Sequence, residues 1–125
     1  MFQSVTILEY RLYHKKCELL LKQTEIRFAG FLDSMGNLIA GGFKQGIIPL
    51  DDESERRKLH IETVLRGKIE QEFNYDLGSV AYSATRRNKV VTFTFPVDGK
   101  VLFVSSELSV NIDNTAKKII KICGI

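Results

Sequence analysis

Histidine and cysteine are the side chains best suited to bind a metal or attack a substrate, and the chain contains two of each. His14 and His60 have no second ligand at a metal-binding spacing, and Cys17 and Cys123 form no Cys-x-x-Cys pair. The His-x-Glu at residues 60–62 matches half of the zinc deaminase pattern, but the Pro-Cys-x-x-Cys half is absent. We therefore predict no catalytic residue, metal or cofactor, and we place both histidines on helix surfaces.

A glycine-rich segment at residues 40–46 raises the question of phosphate binding. It lacks the Gly-Lys-Ser/Thr ending of a phosphate loop and the Gly-x-Gly-x-x-Gly of a dinucleotide site. The acidic residues at 51–55, which open the next helix, would also repel a phosphate from the helix amides. We interpret the segment as the end of a strand followed by a loop.

The bulk composition excludes further classes of protein. A length of 125 residues fits one domain, residues 1–125, with one core. The 18 cationic residues are interleaved with 15 acidic ones, which argues against the basic stripe of a nucleic-acid-binding protein. No apolar stretch is long enough for a membrane span, and no secretory signal opens the chain. We therefore expect a cytoplasmic protein.

The first elements of the chain are a helix and a hairpin. Residues 3–22 have a helical period, with Tyr13, Cys17 and Leu20 on a buried face that Leu8 and Leu12 extend towards the start. Residues 26–32 and 38–43 are predicted strands. Asp, Ser, Gly and Asn at residues 33–37 supply the turn chemistry that joins them.

A long central helix is predicted at residues 52–74, where Asp52 and Glu55 fit the form of a capping box. Its buried stripe is predicted from the helical spacing of five apolar residues, Ile61, Val64, Leu65, Ile69 and Phe73. Gly67 lies inside this helix, where glycine costs about 1 kcal/mol relative to alanine. Either the position is simply tolerated, or another backbone approaches it closely.

Three strands and a last helix complete the chain. Strands are predicted at residues 79–84, 90–95 and 101–105, joined by turns at 86–88 and 96–99, and a helix at 114–122 with Asp113 as its cap. Strands joined by such short links must be antiparallel. The predicted fold class is α+β, a five-stranded antiparallel sheet in the order α-β-β-α-β-β-β-α. We expect helices on both faces, the central helix on one and the terminal helices on the other.

This order of elements resembles the Roadblock/LC7 family, within the profilin-like group that includes longin domains. Residues 26–40 look like the first hairpin of that family, in which a strand ends in an Asp-x-x-Gly turn and returns through a strand of small residues. The sequence is also similar to small uncharacterised archaeal proteins with an Asp-x-Met-Gly-Asn turn and a Glu-Arg-Arg-Lys helix. Here these motifs are residues 33–37 and 55–58.

The Roadblock/LC7 resemblance implies a non-enzymatic scaffold that forms homodimers and binds or regulates a small GTPase. It also implies a dimer contact through the central helix and the third strand, here residues 52–74 and 79–84. The basic tip formed by Arg86, Arg87 and Lys89 has two interpretations, a solvated turn or a surface for an anionic partner. The candidate partner-binding residues are Arg57, His60, Val64, Gly67, Ser79, Ala81, Arg86 and Arg87.

A second hypothesis is a small-molecule sensor domain of the PAS or GAF type. Such a domain needs a closed apolar cavity with a few convergent polar groups. Tyr82, Ser83 and Thr92 are the residues that we expect to line it. An enzyme ranks third, because we identify no reacting group in the sequence.

Overall fold

The computed structural model describes residues 5–125 and contains one five-stranded sheet. The strands lie in the order β2-β1-β5-β4-β3, and every neighbouring pair is antiparallel. The elements are α1 (Ile7–Leu21), β1 (Ile26–Leu32), β2 (Leu38–Phe43), α2 (Glu53–Gln71), α3 (Asn74–Leu77), β3 (Ser83–Arg86), β4 (Val91–Val97), β5 (Lys100–Ser106) and α4 (Ile112–Cys123). The predicted fold class and order are confirmed, with the four-residue α3 as an addition after α2.

The first helix begins where a capping box fixes it. Thr6 accepts a hydrogen bond from the N–H of Glu9 at 3.1 Å, and the Glu9 carboxylate accepts one from the N–H of Thr6 at 3.3 Å. The helix therefore starts at Ile7. The predicted start at residue 3 lies outside the described residues.

The third strand starts later than predicted, at Ser83 instead of Ser79. It pairs only with β4, and its ladder runs from Ser83 opposite Thr94 to Arg86 opposite Val91. Continuing this register backwards would set residue 81 opposite Pro96, which has no N–H to donate. The ladder therefore stops near Ser83.

The last helix is capped by Asn111, and the prediction of Asp113 was wrong. The Asn111 side chain accepts a hydrogen bond from the N–H of Asn114 at 2.9 Å. Asp113 instead accepts one from the Tyr82 hydroxyl at 2.8 Å and pairs with Lys117 at 3.0 Å. Both residue types are good N-caps, and the sequence offers both within three positions.

The larger core lies between the sheet and the two terminal helices, as predicted. It contains the inward side chains of α1, α4 and β4, among them Tyr13, Cys17, Leu20, Phe93, Phe95, Ala116, Ile119 and Cys123. Cys17 and Cys123 are free cysteines, and burial raises the pKa of Cys17 to about 12 and that of Cys123 to about 11, which favours the protonated thiols. The prediction that Leu8 and Leu12 continue this stripe was wrong, because they are 78% and 51% exposed.

The smaller core lies on the other face of the sheet, under α2. Phe28, Leu32 and Phe103 of the sheet pack against Val64 of the helix, with Leu59 beside them. Asp52 caps α2 by accepting from the N–H of Glu55 at 2.8 Å. The helix ends at Gln71, three residues before its predicted end, and α3 follows.

The turn between β1 and β2 fixes the sheet against α2. The Asp33 carboxylate accepts hydrogen bonds from the N–H groups of Met35 and Asn37, both at 2.9 Å. Burial alone would raise the pKa of Asp33, but these hydrogen bonds outweigh it and lower the pKa. Gly36 has a φ of +84°, and a Cβ added there would lie 2.9 Å from the Cα of Ile61. The turn therefore touches the helix backbone directly.

We predict that Gly36→Ala destabilises the fold more than Gly46→Ala does. Both glycines have a positive φ, but a Cβ at Gly46 meets nothing within 4 Å. The stability lost in Gly46→Ala therefore measures the backbone strain alone. The additional stability lost in Gly36→Ala measures the clash with α2. We expect this difference in the free energy of unfolding to be about 1–3 kcal/mol, measured by denaturant titration. Equal losses would show that the turn does not press against the helix.

Candidate functional site

The outer face of α2 carries an exposed apolar stripe. Leu65, Ile69 and Phe73 lie at four-residue intervals on one side of the helix and its end, and they are 54%, 59% and 54% exposed. We call these three residues the outer stripe. The prediction that they are buried was wrong. The buried side of the helix presents His60, Thr63 and Val64 to the sheet instead.

The sheet surface below explains this orientation. On β4, Val91, Phe93 and Phe95 point to the larger core, so Thr92 and Thr94 point to the side of α2. Ser83 and Thr85 of β3 line the same small space as these threonines, between the sheet and α2. An apolar stripe turned inwards would bury these hydroxyl groups without partners. The helix therefore turns its small and polar side to the sheet.

The outer stripe lies beside a free edge of the sheet. The strand order leaves β3 at one edge, where one side of its backbone has no neighbouring strand among the described residues. The Ser83 hydroxyl donates a hydrogen bond to the Glu70 carboxylate at 2.8 Å, which joins this edge to α2. In α3, Tyr75 and Leu77 add two further exposed apolar side chains. A protein that approached from this side would meet both an apolar helix face and unpaired strand backbone.

The structure separates the candidate partner-binding residues into two groups. Arg57, Ser79, Ala81, Arg86 and Arg87 are exposed, whereas His60 and Val64 are buried against the sheet and Gly67 is half-buried.

Gly67 is not a point of close backbone contact within residues 5–125. A Cβ added there meets nothing within 4 Å. Gly67 and Ser79 instead line one cavity of about 370 Å³ between α2 and the β3–β4 half of the sheet.

The two arginines of the basic tip differ in their surroundings. The guanidinium of Arg86 donates hydrogen bonds to the carbonyl oxygens of Leu108 and Val110, at 2.7 and 2.9 Å. Arg86 therefore ties β3 to the segment before α4. Arg87 and Lys89 line a second cavity, of about 360 Å³, at the other end of α2.

His60 is a buried residue, and its predicted place on the helix surface was wrong. It is 5% exposed, and its ring lies 5.2 Å from the ring of Phe103 and 5.7 Å from that of Phe28, between centroids. Burial lowers its pKa, and the positive charges of Arg56 and Arg57 lower the pKa further. The imidazole is therefore neutral at pH 7. The only sequence signal for its burial is the four-residue spacing from His60 to Val64.

The three residues proposed to line a sensor cavity do not come together. Ser83 and Thr92 share a small space of about 30 Å³ under α2. Tyr82 packs on the opposite face of the sheet, where its ring lies 6.1 Å from that of Phe95. Within residues 5–125, no group of three or more metal-binding side chains is found. The helices of this part of the chain are also too short or too polar to cross a bilayer.

The sequence was compared with protein families and with curated proteins. The model of DUF6659, a family of unknown function, matches residues 4–125. No curated protein sequence matches the chain.

Solved structures of Roadblock/LC7 and MglB proteins have the same fold. A Roadblock/LC7 domain from Streptomyces avermitilis superposes with a TM-score of 0.66 at 10% identity, covering 89% of this chain and 91% of its own. MglB of Myxococcus xanthus superposes with a TM-score of 0.72 at 15% identity, covering 97% of this chain and 88% of its own. The gliding protein MglB of Thermus thermophilus superposes with a TM-score of 0.69 at 12% identity, covering 96% of this chain and 94% of its own. The chain therefore has a Roadblock/LC7-like fold, as its sequence resemblance implied.

We predict that Arg86→Gln lowers the free energy of unfolding by about 1 kcal/mol, because two backbone carbonyls lose their donor. Arg87→Gln is the matched control and should change stability by less than about 0.5 kcal/mol, as expected for a surface substitution. Chemical denaturation of the two variants measures both values. Similar effects of the two changes would contradict the anchoring role that we give to Arg86.

Proposed function

The chain belongs to the DUF6659 family, and we propose that it is a non-enzymatic protein-interaction module that forms a homodimer through α2 and β3. We further propose that the dimer binds and regulates a small GTPase. The observation that carries the proposal is the outer stripe, which exposes three large apolar side chains beside a free strand edge.

The outer stripe suits contact between two identical copies. In a twofold dimer the same patch appears on both sides, so three side chains per copy become six buried ones. Burying the exposed part of each contributes about 1 kcal/mol, or roughly 6 kcal/mol for the dimer. Association itself costs about 4–15 kcal/mol, so the stripe alone gives at best a weak dimer.

Strand pairing supplies the additional stabilisation. Two β3 edges brought together would satisfy each other's free backbone groups and extend the sheet across both copies. The charges beside the stripe also allow self-association, because Glu62 and Arg66 form an ion pair and Lys68 and Glu72 follow with both signs. Two copies therefore meet with mixed charges, and no large field of one sign repels them.

The small GTPase is the partner that the Roadblock/LC7 resemblance implies. Arg57 and Arg87 are exposed cations on the side of the molecule where α2 begins, and we propose that they contact it. Arg57 precedes the outer stripe on α2, and Arg87 follows β3 with its side chain lining the cavity at the start of α2. We propose that one dimer can therefore present both surfaces at the same time.

We predict that the purified chain has twice the chain mass by light scattering and that Leu65→Glu with Ile69→Glu gives a monomer. Each glutamate would place a charge in the dimer contact, where it would lose its hydration. Leu8→Glu with Leu12→Glu is the matched control, since it makes the same chemical change on exposed residues of α1. The control should stay dimeric. A wild-type chain that is monomeric at every concentration would remove the dimer from the proposal.

We predict that the tagged chain, purified from its source cells, retains a GTP-binding protein more strongly in the presence of a non-hydrolysable GTP analogue than with GDP. The double variant Arg57→Glu with Arg87→Glu should no longer retain this protein, because the reversed charges repel an anionic partner surface. The mass of the variant by light scattering should stay that of a dimer. Mass spectrometry of the retained proteins measures both. If no GTP-binding protein is retained above the untagged background, the GTPase role is contradicted, and the dimer proposal is not affected.

A further inference from the structure

The cavity at the N-terminal half of α2 has the size of a ligand site. It is an open cavity of about 360 Å³ between this helix and strands β1, β2, β4 and β5. Small-molecule sites in proteins usually have volumes of about 300–1,000 Å³ and are lined mainly by apolar and aromatic groups. None of the outer stripe residues lines this cavity. A ligand here would therefore bind independently of the proposed dimer contact.

Aromatic rings form one wall of the cavity. Phe28 meets Phe43 edge to face with 4.9 Å between centroids, and it meets Phe103 in the same way at 6.0 Å. All three rings line the cavity together with His60. Rings set at such angles offer faces and edges to another flat ring, which is the geometry that aromatic groups prefer.

Cationic side chains outnumber acidic ones around the same cavity. Arg27, Arg56, Arg87 and Lys89 line it, against Asp51 and Glu55.

Two of these cations are already engaged. Arg27 pairs with Glu107 at 3.2 Å, and Arg56 pairs with Asp51 at 3.3 Å while its guanidinium lies 4.8 Å from the centre of the Phe43 ring. Arg87 and Lys89 have no ion-pair partner among the described side chains. These two remain available to an anion.

One polar group in the cavity wall lacks a partner. The Nε2 atom of His60 is buried and has no hydrogen bond to any group within residues 5–125. Leaving a buried polar group unpaired destabilises the folded state. A neutral imidazole can donate or accept one hydrogen bond at this atom. A bound polar group would therefore recover part of this cost.

We propose that this cavity binds a small aromatic carboxylate. The aromatic ring lies against Phe28 and Phe103, and the carboxylate accepts hydrogen bonds from Arg87 and Lys89. Because His60 Nε2 is buried, its pairing with a ligand oxygen requires the ring to turn towards the cavity as the ligand binds. The aromatic wall selects a flat apolar body, the two free cations select a negative charge, and the buried imidazole selects a polar atom within reach. This assignment shares Arg87 with the proposed GTPase contact, but it goes beyond the proposed interaction role and does not depend on it.

The test uses 2-naphthoate as the probe and neutral 2-naphthamide as its matched analogue, with affinities measured by calorimetry on the full chain. We expect 2-naphthoate to bind at least about tenfold more tightly than the amide, because only the acid can pair with the free cations. Arg87→Gln with Lys89→Gln should weaken 2-naphthoate about tenfold or more. Arg11→Gln with Lys15→Gln removes two exposed cations of α1 that do not line the cavity, and it should change the affinity by less than about twofold.

The location of the probe is checked by NMR of the His60 imidazole. Saturation with 2-naphthoate should shift the His60 ring signals and raise the pKa of His60, since a nearby anion favours the protonated form. The proposal is overturned if 2-naphthoate does not bind at millimolar concentration, if the amide binds equally well, or if binding leaves the His60 signals unchanged. Light scattering on the same samples reports the dimer separately, so the two proposals fail independently.

Discussion

The structure depends on one geometric constraint: both faces of the five-stranded sheet need helices packed on them, and the helices of this chain cover one face more completely than the other. Strands spaced by about 4.8 Å give a sheet roughly 20 Å wide, whereas a helix with its side chains is about 10 Å across. The two terminal helices together cover one face and enclose the larger core. On the other face α2 is the one long helix among residues 5–125, and the apolar core below it is small. About half of that face therefore lies outside the width of α2.

Three features of the chain are related to the incomplete helical cover of this face. The β3–β4 half of this face carries hydroxyl groups such as Thr92 and Thr94, which tolerate water in the small space below α2. At the opposite end of α2, aromatic rings and cations leave an open cavity around His60. The apolar side chains of α2 that would otherwise fill this side point outwards as the outer stripe. The outer stripe and the cavity are thus two consequences of the same incomplete cover.

Local chemistry made part of the fold predictable. The bounds of β1 and β2 follow from turn residues that lie next to each other in the sequence, and Asp33 supplies two of the hydrogen bonds itself. The orientation of α2 was not predictable in this way. Periodicity identifies the apolar stripe of a helix, but it does not say whether the stripe meets its own sheet or another molecule. The answer depends on Thr92 and Thr94, which are distant in sequence. The start of β3 likewise depends on the opposing Pro96.

Amide hydrogen exchange at low and high protein concentration tests the central claim most directly, because it compares the two sheet edges within one sample. The account predicts that amides of β3 (Ser83–Arg86) become more protected as concentration rises, while those of the opposite edge, β2 (Leu38–Phe43), do not change. The account would be contradicted if amide exchange in β3 did not depend on protein concentration, or if protection rose equally at both edges.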